Sequence, residues 1–434
     1  MTHFSDDTMF WPRRDQAMAW AITLIAALFF FYEFIQMNMF NSLADSFEQT
    51  FHLSALQLGL VACFYFLSDT ILLYPAGALS DYFSSKKLLI LGMVMCILGT
   101  LLITLATNAW FLVVARFLAG TASAFCLLSI LRLAAQWFPA VKMGQVTGVV
   151  VTLGMLGGAV SQTPLVWLID DVGWRSALRI VAIMGVVILL VIVVVVRDAP
   201  VQKCFALLQQ SQTDQKPIGF GKGLWLILRN RHNWLAGLYI ATMNLPIMLL
   251  AGLFGTQTMQ QTAGLSQAQG ATVSMMIFIG TIVGSTVFGF ATDWLKSRRL
   301  PMLLSACVSL VLFAVIMYVP NLTYWHEIVL FFVLGFFTAA QIIGYAVTRE
   351  CNSESMVGSA LGFASVLIMA LPTVLQPLMG WLLSRGWEGK EISGIKWYPM
   401  SAYHDALMIL LIGFIVSIVC AFALPETYGR KVVS

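Results

Sequence analysis

The sequence predicts an all-α integral membrane protein whose twelve transmembrane helices form two parallel six-helix repeats. Three observations carry that expectation. Hydrophobic residues make up 59% of the 434-residue chain and charged residues only 10%, whereas a soluble protein is roughly a quarter charged. The apolar residues fall in blocks long enough for a bilayer core of about 30 Å, which needs roughly 20 residues of helix. Polar landmarks around the second block recur around the eighth at a fixed spacing.

The blocks lie near 17–40, 57–79, 88–106, 109–131, 144–169 and 176–196, then near 234–254, 269–291, 300–319, 328–348, 357–383 and 404–423. The first is too long for the apolar core of a cleavable signal peptide and reads as span one, after an N-terminal tail over 1–16. The six-helix halves cover 17–197 and 234–424. Residues 198–233, with Pro217, Gly219 and Gly221, read as a linker carrying a short surface helix around Gly223 to Arg229. A second tail covers 425–434. The 384–403 connection, rich in Trp and Tyr, is either a partly ordered lid or a plain loop.

Basic residues set the expected orientation, because cytosolic loops are enriched in them. With the N-terminus inside, Arg13, Arg14, Lys86, Lys87, Arg132, Lys142, Arg197, Lys203, Lys216, Lys222, Arg229, Arg231, Lys296, Arg298, Arg299, Arg349, Arg430 and Lys431 are cytosolic. Only Arg175, Arg179, Arg385, Lys390 and Lys396 lie outside, and Arg116 falls within a span. Eighteen against five puts both termini in the cytosol.

Several function classes lose support from the same residues. The net charge of +4 is scattered, with no basic face for nucleic acid. Seven cysteines include no CxxC pair, and five histidines have no metal-ligand spacing, so no metal and no cofactor is expected. No nucleophile–base set argues for an enzyme, and no phosphate-binding loop argues for ATP as the energy source.

The repeat turns a helix count into an architecture. Leu53-Ser54-x-x-Gln57 returns as Leu265-Ser266-x-x-Gln269, and Gly77-x-x-x-Asp81-x-x-x-Ser85-Lys86-Lys87 returns as Gly289-x-x-x-Asp293-x-x-x-Ser297-Arg298-Arg299, all displaced by 212 residues. Copies six spans apart share an orientation, so the halves are parallel repeats about an axis along the membrane normal. Ser54 and Ser266, each with Gln three residues on, have the capping-box arrangement that starts a helix.

At these residues the chain resembles the major facilitator superfamily, over nearly its whole length. Gly77, Asp81, Lys86 and Lys87 fit the family's loop signature between spans two and three, with Tyr82 and Ser84 replacing a basic residue and a glycine. Arg116-x-x-x-Gly120, Gly173-Trp174-Arg175 and Pro425-Glu426-Thr427 are further, weaker matches. The resemblance implies that spans one, four, seven and ten line a central cavity, and that Asp81 faces span eleven while Asp293 faces span five. A carboxylate there meets the positive end of a helix dipole, and Arg132 and Arg349 supply cations at the same level. The gating set is therefore Gly77, Asp81, Lys86, Lys87, Arg132, Gly289, Asp293, Arg298, Arg299 and Arg349. Its residues serve either as a latch or simply as loop solubility and topology signals.

Ionisable side chains inside a membrane are costly and usually face a partner or water. Glu33 in span one, Asp69 in span two and Arg116 in span four are the proton-coupling candidates. Glu33 and Arg116 sit at similar depth, and the economical expectation is that they pair, either as a coupling site or as a permanent structural ion pair. Asp69 has Thr281 as its repeat mate and no evident partner. The substrate-binding candidates are Glu33, Gln36, Arg116, Asn244, Gln341 and Tyr345, each with interhelical hydrogen bonding as the alternative role. Pro246 is expected to loosen span seven, and Pro164, Pro372 and Pro377 to bend spans five and eleven. Gly154-x-x-x-Gly158, Gly280-x-x-x-Gly284 and Gly358-x-x-x-Gly362 are expected to be close-packing faces.

Span five lacks the Gly-Pro-x-x-Gly-Gly run of the superfamily's drug antiporters, which tilts the expectation toward uptake. Phe31 to Gln36 and Arg349-Glu350-Cys351-Asn352 are similar to the nutrient-uptake, phagosomal transporter-like branch of intracellular bacteria. The resemblance implies a monomeric, proton-coupled importer of a small polar organic solute such as an amino acid or nucleoside, working by alternating access in a bacterial inner membrane. An exporter of a metabolite, siderophore or drug is the alternative, and a non-transporting solute sensor is the alternative of another class.

Overall fold

A computed structural model describes residues 13–139, 142–198, 220–353, 356–392 and 394–428. Most of both expected tails and of the linker lies outside the described residues. Among the described residues twelve helices are long and apolar enough to cross a membrane, six in each half of the chain, and the strands are the two-residue pair Glu391–Ile392 and Ile395–Lys396. The linker ends in a helix over Phe220–Arg229, starting three residues earlier than expected. An even number of crossings puts residues 13 and 428 on one side, called below the terminal face.

The repeat is visible in local geometry. Ser54 accepts from the Gln57 backbone N–H and Gln57 Oε1 accepts from the Ser54 N–H at 2.9 Å, and Ser266 with Gln269 forms the same capping box. The helix before each box ends in a left-handed residue, Gly264 at φ 65° in the second half and His52 at φ 53° in the first. That conformation is routine for glycine and uncommon for histidine.

Three spans are interrupted, and a fourth helix breaks just past its span. The first helix, Arg13–Asn38, breaks at Met39 and continues beyond the membrane span as Phe40–Phe51. Span five breaks between Val160 and Thr163, where Pro164 begins the second piece. Span ten breaks between Thr338 and Gln341. In span seven the helix Arg231–Met243 gives way to a π-helix over Pro246–Phe254. Proline lacks an N–H and crowds the preceding turn, so Pro246 favours the wider winding there. By contrast Pro372 and Pro377 leave span eleven, Val357–Arg385, in one piece.

The halves meet on the face opposite the termini. The first turn of span two carries N–H groups without helical partners, and the second half caps them: Ala55 N–H donates to Tyr398 Oη and Leu56 N–H to Ser384 Oγ, both at 3.0 Å. Gly59 and Gly380 let spans two and eleven touch backbone to backbone, and Gly158 takes the ring of Phe278 from span eight. Toward the terminal face, a Cβ at Gly77, Gly144, Gly148, Gly358 or Gly362 would meet nothing within 4 Å. Gly358 and Gly362 are thus not a packing face as expected, whereas Gly280 and Gly284 lie directly on span-ten carbonyls.

Candidate functional site

Arg116 is 1% exposed and does not pair with Glu33. Its Nη1 donates to the carbonyl of Gln36 at 2.7 Å, and Nη2 reaches the carbonyls of Met37 and Ala62 at 3.4 Å. The guanidinium lies 4.4 Å from the Phe40 ring centroid and 4.5 Å from that of Tyr65. The break at Met39 explains the difference from the expected pair. Gln36 and Met37 are among the last residues of the first helix, whose final carbonyls have no intrahelical donor and carry the negative end of the dipole. Arg116 stitches that helix end to span two.

Glu33 lies instead beside Asp69. Asp69 Oδ2 accepts from the Ser123 hydroxyl at 3.2 Å, while Asp69 Oδ1 and Glu33 Oε1 have no hydrogen-bond partner among the described residues. Glu33 feels the Asp69 carboxyl, the Ser123 hydroxyl and, more weakly, Arg116. Two buried carboxyls near one hydroxyl cannot both hold a negative charge cheaply. The arrangement can therefore bind one cation, a proton being the smallest. Ser123, one turn beyond Gly120 in span four, was not singled out from sequence; a hydroxyl on a cavity-lining span was its only signal.

Gln36 is fully buried, and neither its Oε1 nor its Nε2 makes a well-aligned hydrogen bond among the described residues; the Tyr32 hydroxyl, bonded to Thr100, stands beside it. Buried amides are normally satisfied, so this one is an open donor–acceptor pair one turn from Glu33. In the second half, Gln341 Nε2 approaches Asn244 Oδ1 at 3.4 Å, joining the breaks of spans ten and seven. Tyr345 is partly buried with the Ser365 hydroxyl beside it. Sequence reasoning missed Gln376 in span eleven, which donates to the carbonyl of Met248 at 2.9 Å and leaves its own Oε1 unpartnered. The amides Asn41 and Gln162 were missed too; they bond each other at 2.6 Å and reach span seven through Thr256 N–H and the Ala251 carbonyl.

The gating set divides. The side chains of Asp81 and Asp293 lie outside the described residues. Lys86 Nζ donates to the Val193 carbonyl at 2.7 Å, and Ser84, standing where the family has glycine, caps the helix Ser85–Thr104 by accepting from Lys87 N–H. In the second half, Arg298 forms an ion pair with Glu350 at 3.0 Å. Glu426 accepts from Ser297 Oγ and from the N–H groups of Arg298 and Arg299, and Thr427 bonds Glu350. Burial would raise the Glu426 carboxyl, but these hydrogen bonds outweigh it and hold the group below the usual carboxylate range. The Arg299 guanidinium covers the Phe422 ring at 4.5 Å. Among the described residues, a Cβ at Gly289 would meet Ile342 at 4.0 Å, and Arg349 is exposed.

Residues 23–321 match the model of the Major Facilitator Superfamily. The membrane sensor protein UhpC of Escherichia coli is 23% identical over 394 residues, covering 87% of this chain and 86% of the relative. A bacterial homologue of the human lysosomal transporter Spinster, in an inward-facing and unoccupied conformation, superposes with a TM-score of 0.71 at 16% identity, covering 95% of this chain and 96% of that one. The nucleoside transporter NupG superposes with a TM-score of 0.69 at 16% identity, covering 93% and 98%. With twelve spans in two parallel halves, a broken and polar interior, and a family match over more than half its length, the chain belongs to the Major Facilitator Superfamily.

Proposed function

We propose that the protein is a proton-coupled importer of a small polar organic solute, working by alternating access. In this reading it acts as a monomer in a bacterial inner membrane with both termini cytosolic. The unpartnered amide of Gln36, beside the Glu33–Asp69 carboxyls, carries the reading: a solute's polar groups would satisfy what the protein leaves unsatisfied. Asn244, Gln341 and Tyr345 offer further amide and phenol contacts from the second half, and Glu33 with Asp69 holds the coupled proton. Arg116, occupied with backbone carbonyls, supports the helix that presents Gln36 and Glu33. Contact on the opposite face, with uncovered glycines toward the terminal face, fits a state open on the terminal side.

The test is a thermal-shift screen of amino acids, nucleosides and organic acids, followed by uptake into proteoliposomes under an imposed pH gradient. Stabilisation by one class, lost in Gln36→Ala, with uptake driven by an inward proton gradient, is the expected result. Solute stabilisation without movement in either direction would favour the sensor reading, which the likeness to a membrane sensor protein also supports. Efflux driven by the same gradient would make the protein an antiporter.

A further inference from the structure

A second group of buried acids lies away from the central site, where the halves meet on the opposite face. Asp45 and Glu48 stand three residues apart on one face of the helix Phe40–Phe51, 7% and 1% exposed. Across the interface, Gln257 of span seven donates from a single Nε2 to Asp45 Oδ1 at 3.0 Å and to Glu48 Oε1 at 3.1 Å. Asp45 and Gln257 are separated by 212 residues, the repeat offset, so equivalent positions meet on the pseudo-twofold axis. Glu48 Oε2 is buried and makes no well-aligned hydrogen bond among the described residues, the Lys396 backbone N–H standing beside the carboxyl.

We infer that Asp45 and Glu48 form a proton-binding site that locks the two halves together on the face opposite the termini. Charge and geometry require the proton. The pair's donors are all neutral, the Gln257 amide to both carboxyls, the Gln260 amide beside Asp45 and the Lys396 backbone N–H beside Glu48, and neutral donors do not balance two buried negative charges within a helical turn of each other. A proton on one carboxyl removes one charge, leaving Gln257 to serve an anion and a neutral acid. When this face opens, both carboxyls gain water and the proton leaves to that side.

The surrounding groups do not replace it. From Gly255–Ala263 the pair faces the amides of Gln257 and Gln260. From the strand Ile395–Lys396 it faces Lys396, whose backbone N–H stands beside Glu48 and whose ammonium, 5.2 Å from the Trp387 ring centroid, adds a smaller attraction. Tyr398 and Tyr403 face it before and in the last span. Gln267 of span eight bonds the Ser42 carbonyl, and Asp170, Asp171, His52 and Glu391 are exposed. Burial, the largest effect, pushes Glu48 up to about 7 and raises Asp45 in the same direction. A carboxyl whose affinity for protons rises on closure favours the closed state at low pH. That preference fades as pH climbs from the ordinary carboxylate range through about 7.

The lock is tested without transport, so its failure is separable from failure of the importer reading on which its coupling role rests. Hydrogen exchange of the full-length protein in lipid nanodiscs, corrected for the intrinsic pH dependence of exchange, reads opening of 40–51 and 255–263. In the wild type, protection of both segments should fall roughly tenfold from pH 5.5 to 7.5, within the limit of tenfold per pH unit for one proton. Glu48→Gln should flatten the profile and keep the segments protected at pH 7.5, with Asp45→Asn acting in the same direction, and Glu391→Gln should leave the slope intact. A flat wild-type profile, a slope that survives in the Asp45→Asn, Glu48→Gln double variant, or a slope abolished by Glu391→Gln overturns the proposal.

Discussion

Where span four crosses span two, Gly120 rests on the carbonyl of Tyr65; where span ten crosses span eight, Gly335 rests on the carbonyl of Ile277. These contacts align the two halves residue by residue. Four residues before the glycine stands Arg116 in the first half and Phe331, also fully buried, in the second. Opposite Asp69, which leaves one oxygen unpartnered, stands Thr281, whose hydroxyl is satisfied by the Ile277 and Gly335 carbonyls. The second half thus solves the crossing with apolar packing and local hydrogen bonds. The first half keeps charges and open valences in the same frame, and the proposed function assigns its central proton site to that repeat.

Breaking the comparison at its strongest point means removing Arg116. Arg116→Ala strands the carbonyls of Gln36 and Met37, at about 1–3 kcal/mol for each buried acceptor left unsatisfied, and empties a packed site, for a total of about 3–5 kcal/mol. Phe331→Ala should cost about 3–5 kcal/mol as well, by cavity formation alone. Thermal unfolding with and without solute separates them: Phe331→Ala should retain the solute-induced shift, and Arg116→Ala should lose it as span one loosens.

A second, smaller contrast concerns pH. Glu33→Gln or Asp69→Asn should uncouple uptake from an imposed proton gradient. Thr281→Val should cost about 1 kcal/mol of stability, the worth of an ordinary hydrogen bond, and leave coupling intact. Proteoliposome uptake at matched and opposed gradients measures both; coupling that survives Glu33→Gln and Asp69→Asn together would end the assignment of that pair.

On the terminal face the second half carries a network of its own around Glu350 and Glu426. The Arg298–Glu350 pair is partly exposed at 14% and 12%, so Glu350→Gln should cost about 1 kcal/mol or less. Glu426 adds a pH signature. Its carboxyl is held below the usual range, so its contribution is present above that range and lost as pH falls through its lowered value. Unfolding followed from pH 6 to pH 3 should show this loss in the wild type and not in Glu426→Gln. Smallest of all, Gly358→Ala should fall within about 1 kcal/mol of wild type on the stabilising side, because alanine is the better helix former and the added methyl meets no atom within 4 Å.

Much of the fold was legible because its causes are local or periodic. Twenty-residue apolar blocks, the Ser54 and Ser266 capping boxes and the 212-residue offset all appear in the structure as helices, caps and repeats. The site was less legible. Sequence placed Glu33 and Arg116 at one depth and suggested a pair, but depth says nothing of azimuth or of the carbonyls exposed where a helix ends. Those carbonyls, created by the break at Met39, won the guanidinium. Asp45 and Glu48 escaped notice because they sit beyond the apolar block, where acidic residues are ordinarily solvated; a partner from span seven buries them.

Composition, charge bias and repeat spacing fixed how many times the chain crosses, that the halves are parallel, and which few side chains pay an unusual cost for lying in an apolar medium. Those follow from transfer free energies and helical periodicity, which act on each segment separately. Only the packed structure decided which acid neighbours which, that Arg116 serves a broken helix rather than a carboxylate, and on which face the halves close. These outcomes depend on competition among acceptors brought together from distant segments, and one segment carries no record of the others.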